Sequence, residues 1–184
     1  MRIISGEFRG RVLKSPTGFH TRPTSDRLRE TLFNIIRPNL SANTRFLDLC
    51  AGTGAVGIEA ISRGAGSATF VDISRQSCAL IEENLDLLKI PNQQTEIICA
   101  SAEHFVNRQH KNPWDIVYFD PPYLFNYSAI LQPFSFQQNT LILTDSIFIA
   151  EHHLKNQMPD SIGHLRRWRL LKQGENCLSF YELK

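Results

Sequence analysis

The sequence predicts an α/β fold, a parallel sheet with helices on both faces, and three observations predict it. From residue 45 onward, short β-branched and apolar segments alternate with segments of helical periodicity. A glycine turn joins the first of these strands to the first helix, and an acid closes the second strand. The fourth strand then runs into Asp120-Pro121-Pro122-Tyr123. Neither proline can donate a ladder hydrogen bond, so the strand must stop there in a stiff corner.

Residues 1–20 read as an arm of short extended pieces around Gly6, Gly10 and Gly18. Thr24-Ser25-Asp26 starts a helix carrying Leu28, Leu32, Ile35 and Ile36 at helical spacing, and Pro38 stops it. Strands follow over 45–49, 68–72, 96–99, 114–119 and 146–151. Helices are expected over 55–63, 74–89, 101–109 and 128–136. The tail reads as an antiparallel hairpin, 168–172 against 178–181, around Gly174. One boundary is expected near residue 40, dividing a basic arm and helix (1–40) from the sheet domain (41–184).

At 184 residues the chain has the size of one domain with a full core. No apolar run approaches the ~20 residues of a membrane span. The first residues lack an apolar signal core, so the expected location is the cytoplasm. Cys50, Cys78, Cys99 and Cys177 are scattered without a CxxC pair, so free thiols are expected and no metal. Net charge is only +2, but residues 1–30 hold seven basic against three acidic side chains, and Arg166-Arg167-Trp168-Arg169 with Lys172 makes a second basic cluster. Two such clusters favour a polyanionic partner.

The first strand leads into Asp48-Leu49-Cys50-Ala51-Gly52-Thr53-Gly54-Ala55-Val56-Gly57, a G-x-G-x-x-G turn, and Asp72 ends the second strand where it suits both hydroxyls of a ribose. The pattern alone does not choose between a dinucleotide and S-adenosylmethionine. Asp48, at the mouth of the first strand, would repel a pyrophosphate and favour the cationic ammonium and sulfonium of S-adenosylmethionine; pairing with a nearby backbone amide is its other reading. Ser101 and the Ala102 N–H lie where adenine is expected, although Ser101 also reads as a helix cap.

Asp120 and the Pro121 carbonyl can accept hydrogen bonds from an amine, Pro122 stiffens the corner, and Tyr123 offers a ring to stack on a base. Asp120 also borders the cofactor turn. Arg9, Arg11, Arg22 and Arg27 are the expected phosphate contacts, with Arg27 alternatively paired to Glu30 along the helix. His152-His153 lacks a ligand partner and is expected on the surface or a loop. Trp114 is expected to pack at the start of its strand. Trp168 packs in the hairpin or stacks on RNA.

Taken together, these segments resemble the bacterial 16S ribosomal RNA guanine-N2 methyltransferases of the small-subunit type, over nearly the whole length. Arg2-Ile3-Ile4-Ser5-Gly6 with Arg9-Gly10-Arg11 is similar to that family's opening, and Arg22-Pro23-Thr24-Ser25-Asp26-Arg27-Leu28-Arg29-Glu30-Thr31-Leu32-Phe33-Asn34 resembles its most distinctive helix. Leu47-Asp48-Leu49-Cys50-Ala51-Gly52-Thr53-Gly54-Ala55 matches the cofactor loop, with Cys50 where an aromatic is usual, and Asp120-Pro121-Pro122-Tyr123 matches the catalytic motif. Ser101 departs from the usual acid or amide. The resemblance implies a Rossmann-like class I S-adenosylmethionine-dependent methyltransferase fold, with a mostly parallel seven-stranded sheet and a reversed last strand. It further implies methylation of one guanine N2 in 16S rRNA packaged with small-subunit proteins. Competing readings are an adenine or cytosine amino-methyltransferase acting on DNA or other RNA, an NAD-dependent oxidoreductase, and a non-catalytic RNA chaperone. The short chain, the proline corner and the basic arm count against these.

Overall fold

Residues 1–16, 25–122, 126–136 and 139–184 are described by the computed structural model. In chain order the elements are α1 (Asp26–Ile36), β1 (Arg45–Leu49), α2 (Ala55–Ser62), β2 (Ser67–Asp72), α3 (Arg75–Leu88), β3 (Thr95–Cys99), α4 (Ala102–Val106), β4 (Trp114–Phe119), α5 (Tyr127–Phe134), β5 (Ile142–His153), β6 (Ser161–Ile162), β7 (Leu165–Gln173) and β8 (Asn176–Leu183). The strands form one sheet in the order β3-β2-β1-β4-β5-β8-β7-β6. Strands β1 to β5 are parallel, β8 is antiparallel to β5, and β7 is antiparallel to β8. So β7 points with the first five and β8 is reversed. The sheet has eight strands rather than seven because two residues of β6 add to its far edge.

The central strands read as continuous apolar runs because both faces are covered. One face buries Phe46, Phe70, Tyr118 and Ile149 under α1, α2 and α3. The other buries Leu47, Val117, Phe119 and Phe148 under α4 and α5. Trp114 is buried at the start of β4, as its sequence position predicts, and donates from Nε1 to Thr69 Oγ1 at 3.2 Å.

Several boundaries differ from expectation for identifiable reasons. Helix α4 stops at Val106 rather than 109, since Asn107 folds its side-chain amide back on the Glu103 carbonyl at 2.8 Å. Strand β5 begins at Ile142, four residues early, because a bulge between Trp114 and Ile116 keeps it paired with β4. Helix α5 ends near Pro133, which tolerates only the last turn. His152 is a correction: it lies buried within β5, 6% exposed, with Nε2 2.9 Å from Ser179 Oγ, while His153 is half-buried.

Residues 1–16 form a small hairpin closed by an Arg2–Val12 bridge. Its Ile3 and Leu13 join Leu28, Leu32, Phe33 and Ile36 of α1 in the same buried cluster as the sheet. Glu59, fully buried in α2, is the anchor. Its carboxylate accepts from the Ile4 N–H (2.8 Å), the Ser5 N–H (3.0 Å) and Arg63 Nε (2.7 Å), and lies 3.8 Å from Arg29 Nε. Arg29 itself is fully buried, so it belongs to the interior and not to the basic surface; burial lowers its pKa despite Glu59 and Asp26. Gly6 meets Ser62 so closely that a Cβ there would sit 1.7 Å from the Ser62 carbonyl oxygen. Glu59→Ala is expected to cost about 3–5 kcal/mol, because it leaves the buried Arg29 with only Asp26 and the Arg2 carbonyl and two arm amides without their acceptor; urea unfolding measures this, and a loss under ~1 kcal/mol contradicts the anchoring role.

Candidate active site

Strands β1 and β4 are neighbours in register, with Leu49 beside Phe119, so the loops that leave them emerge together. The Asp120 N–H reaches the Leu49 carbonyl at 3.4 Å and holds the proline corner against the glycine turn. On the other side β1 pairs with β2, and the Ala51 N–H donates to the Val71 carbonyl at 3.0 Å. The three strand ends thus gather Asp48, Asp72 and Asp120 around one residue, Cys50. Its thiol is pushed up to about 12 by burial and then by Asp72, Asp120 and Asp48 in that order.

The turn is built on left-handed backbone. Cys50 has φ 64°, Gly52 56° and Gly54 75°. At Gly52 nothing lies within 4 Å of where a Cβ would be, so the turn opens onto free space. Gly57 is needed for packing: a Cβ there would lie 2.4 Å from the Phe70 ring. Asp72 shapes the turn with both oxygens, Oδ2 accepting from the Gly52 N–H and Oδ1 from the Ser74 N–H, each at 2.8 Å. Asp48 is 2% exposed, and its Oδ2 accepts from the Gly57 N–H at 2.8 Å. This is the backbone-amide pairing that the sequence offered as the other reading of Asp48, and it braces α2 beside the turn. Burial pushes its carboxyl up to about 8, the Gly57 bond acting against this and Asp72 with it. Ala51, Thr53 and Gly54 complete the turn, with the Gly54 N–H bonded to the Ala51 carbonyl at 2.8 Å.

Beside β2, the end of β3 places Cys99 level with Asp72. Ser101 caps α4, its Oγ accepting from the His104 N–H at 3.1 Å, and Ala102 is buried as the first helical residue. At the proline corner Pro121 is buried and Pro122 exposed, while Tyr123 lies outside the described residues. Arg9, Arg11 and Arg27 are exposed, and Arg22 is likewise outside the described residues. Among the described residues Arg27 makes no ion pair with Glu30.

Three residues at the site escaped the sequence reading. Ile73 follows Asp72 and is 74% exposed, an apolar surface beside the expected ribose position. Tyr127 packs edge-on against Phe119 with centroids 5.8 Å apart, and its hydroxyl is pushed up to about 12 by burial first, with Asp120 among the neighbouring charges. Asn84, fully buried in α3, links the arm to the turn: its Nδ2 donates to the carbonyls of Thr53 (3.1 Å) and Lys14 (3.2 Å), and its Oδ1 accepts from the Lys14 N–H at 2.7 Å. An exposed apolar residue after the second-strand acid was a readable signal for Ile73. Asn84 and Tyr127 gave none. A cavity of about 680 Å³ between α4 and α5, lined by Asn107, Arg108, Gln132 and Asn139 among others, opens at the opposite edge of the sheet and contains none of these groups.

A parallel sheet with one reversed strand, a glycine turn after β1, an acid closing β2 and an Asp-Pro-Pro corner after β4 define a class I methyltransferase fold. The family model described as conserved hypothetical protein 95 matches residues 1–182. Ribosomal RNA small subunit methyltransferase D of Haemophilus influenzae is 32% identical over 100% of this chain and 92% of its own length. The Escherichia coli K12 protein of the same name is 34% identical over 86% of this chain and 78% of its own. The solved structure of Escherichia coli yhhF, named as a candidate methyltransferase, superposes with a TM-score of 0.85 at 31% identity, covering 100% of this chain and 98% of that one. The chain belongs to this family, that of the small-subunit ribosomal RNA methyltransferases D.

Asp48 makes the stability of the ligand-free protein depend on pH. The unfolded carboxyl ionises near 3.8, whereas the folded one keeps its proton up to about 8. The stability that the protonated carboxyl contributes is therefore fully present below that window and is lost as pH rises through it, by a few kcal/mol in order of magnitude. Asp48→Asn is expected to flatten this dependence in thermal melts between the two limits. A variant whose melting profile over that range runs parallel to the wild type contradicts the buried, protonated carboxyl.

Proposed function

We propose that this protein transfers a methyl group from S-adenosylmethionine to the exocyclic N2 of a guanine in 16S rRNA, within an assembling or assembled small ribosomal subunit. The observation that carries the reading is the pairing of β1 with β4, which sets the glycine turn and the Asp120-Pro121 corner side by side. The names of the relatives support an RNA substrate in the small subunit.

The residues present fit the cofactor. The space open at Gly52 admits a ligand against the turn, Asp72 faces a ribose position, and Ile73 presents apolar surface next to it. Asp48 adds a carboxyl that burial keeps protonated up to about 8 in the empty site and that a neighbouring cation would help to ionise, which favours a sulfonium and ammonium over a pyrophosphate. The cofactor supplies an electrophilic methyl group on a positively charged sulfur. The rest is work for the chain. Asp48, Asp72 and the turn hold the donor, with Ser101 and the Ala102 N–H towards its adenine.

Asp120 and the Pro121 carbonyl accept hydrogen bonds from the guanine amine. A guanine amine is a weak nucleophile because its lone pair is delocalised into the ring. Two acceptors on its hydrogens draw the nitrogen towards a pyramidal shape and aim the lone pair across the turn. The alkylated nitrogen is acidic, so no strong base is required for the proton it sheds. Tyr123 stacks on the base once it is turned out of its helix, for about 1–3 kcal/mol. Arg9, Arg11, Arg22 and Arg27 hold phosphates from residues 1–40, the part of the chain that acts as the docking unit.

Asp120→Ala is expected to retain cofactor affinity by calorimetry and to lose about 10²–10³ in turnover on undermethylated small subunits; a near-normal rate contradicts the role. Deletion of the gene followed by mass-spectrometric mapping of 16S rRNA is expected to show one missing guanine methyl group. An unchanged map contradicts the substrate.

A further inference from the structure

We propose that the outer part of β7, with Trp168 between Arg166 and Arg169, is a second contact surface for single-stranded RNA, continuing the path that begins at Arg27. This rests on the RNA-modifying role proposed above, but it comes from residues which that role does not use.

A bulge between Arg167 and Arg169 interrupts the β7–β8 ladder and inserts Trp168 as the extra residue. The indole rests on Phe180, ring centroids 5.4 Å apart, and is still 42% exposed. Phe180 belongs to the buried cluster shared with α1, so Trp168 lies on the α1 face of the sheet. Arg169 pairs with Phe180 and Arg166 with Glu182, which places both arginines on that same face. Among the described residues neither arginine has a side-chain hydrogen bond or ion pair; Glu182 is bound to Lys184 at 2.9 Å, and Asp160 to Arg167. Charged side chains that guard a sheet edge against aggregation account for the arginines. They do not account for a half-exposed tryptophan that leans on a buried ring at 49° between them.

The surface is continuous with the proposed docking helix. Thr31 Oγ1 of α1 lies 3.4 Å from Gln173 Oε1 at the end of β7, and Arg27 is one helical turn from Thr31, its carbonyl accepting from the Thr31 hydroxyl at 2.9 Å. From Gln173 the strand runs back past Arg169 and Trp168 to Arg166 over about 20 Å, the span of several nucleotides. Strand β7 stands three places from β4 in the sheet, a lateral separation of about 14 Å, and Arg169 lies level with Tyr118, two residues before Asp120. The free cations and the exposed π-face match a polyanion carrying unpaired bases, the combination by which single strands are held.

Tryptophan fluorescence reads this directly, because the only other tryptophan, Trp114, is 3% exposed. Titration of the full-length protein with oligouridylate, and separately with 16S rRNA, is expected to quench the exposed component, and Trp168→Leu is expected to abolish the quenching. Arg166→Glu with Arg169→Glu is expected to weaken RNA binding at least tenfold and to reduce the log–log salt slope by about 1.4. The same pair should raise KM for small subunits while leaving kcat unchanged. Both arginines are solvent-exposed, so the double variant is expected to stay folded, with only a small fall in melting temperature from the like charge that Arg166→Glu sets opposite Glu182. RNA binding without quenching, a double variant with unaltered affinity, or quenching by phosphatidylglycerol vesicles alone overturns the proposal. If the wild type quenches with RNA but methylates no rRNA, the reaction assigned above fails and this surface stands. If it methylates and the variants change nothing, the surface fails and the reaction stands.

Discussion

The parallel pairing of β1 with β4 is the constraint on which the rest of this molecule depends. Parallel neighbours end on the same edge of the sheet, so the turns leaving them are adjacent. The Asp120 N–H, 3.4 Å from the Leu49 carbonyl, extends that adjacency into the proline corner. The prolines then prevent the fourth strand from running on, and the left-handed backbone at Cys50 and Gly52 bends the first loop away to leave space. Neither loop alone defines a chemistry; side by side, they form the place where the proposed reaction brings donor and amine together.

Electrostatics follows from that geometry. Asp48, Asp72 and Asp120 converge on the half-buried Cys50, whose thiol is held protonated first by burial and then by their field. A site this rich in carboxylates repels phosphate and attracts a cation. The arrangement is stabilised from the side by the hairpin of residues 1–16. Glu59 grips its backbone beneath α2, and Asn84 ties Lys14 to Thr53 of the turn. The segment carrying the proposed phosphate contacts is thereby coupled to the cofactor loop through buried hydrogen bonds.

Much of this was legible in the sequence. The order of β1 to β5 and the helices between them followed from periodicity, and the glycine turn and proline corner were placed at strand ends by their residue types. What escaped was decided by tertiary contacts. Arg29 looked like one more surface cation, but its burial depends on Glu59, thirty residues away in sequence. His152 looked like a loop residue because the extension of β5 to His153 comes from pairing with β8. Asn84 sits on a helix with nothing local to mark it as the bolt between the arm and the turn. The two residues of β6 are too few to carry any alternation.

The central claim is most directly tested by a crystal structure of the protein soaked with S-adenosylhomocysteine. The account predicts density along the C-terminal edges of β1 and β2, with the ribose on Asp72 and the sulfur over the glycine turn facing Asp120 and Pro121. Density instead in the cavity between α4 and α5, or a sulfur turned away from the proline corner, would contradict it.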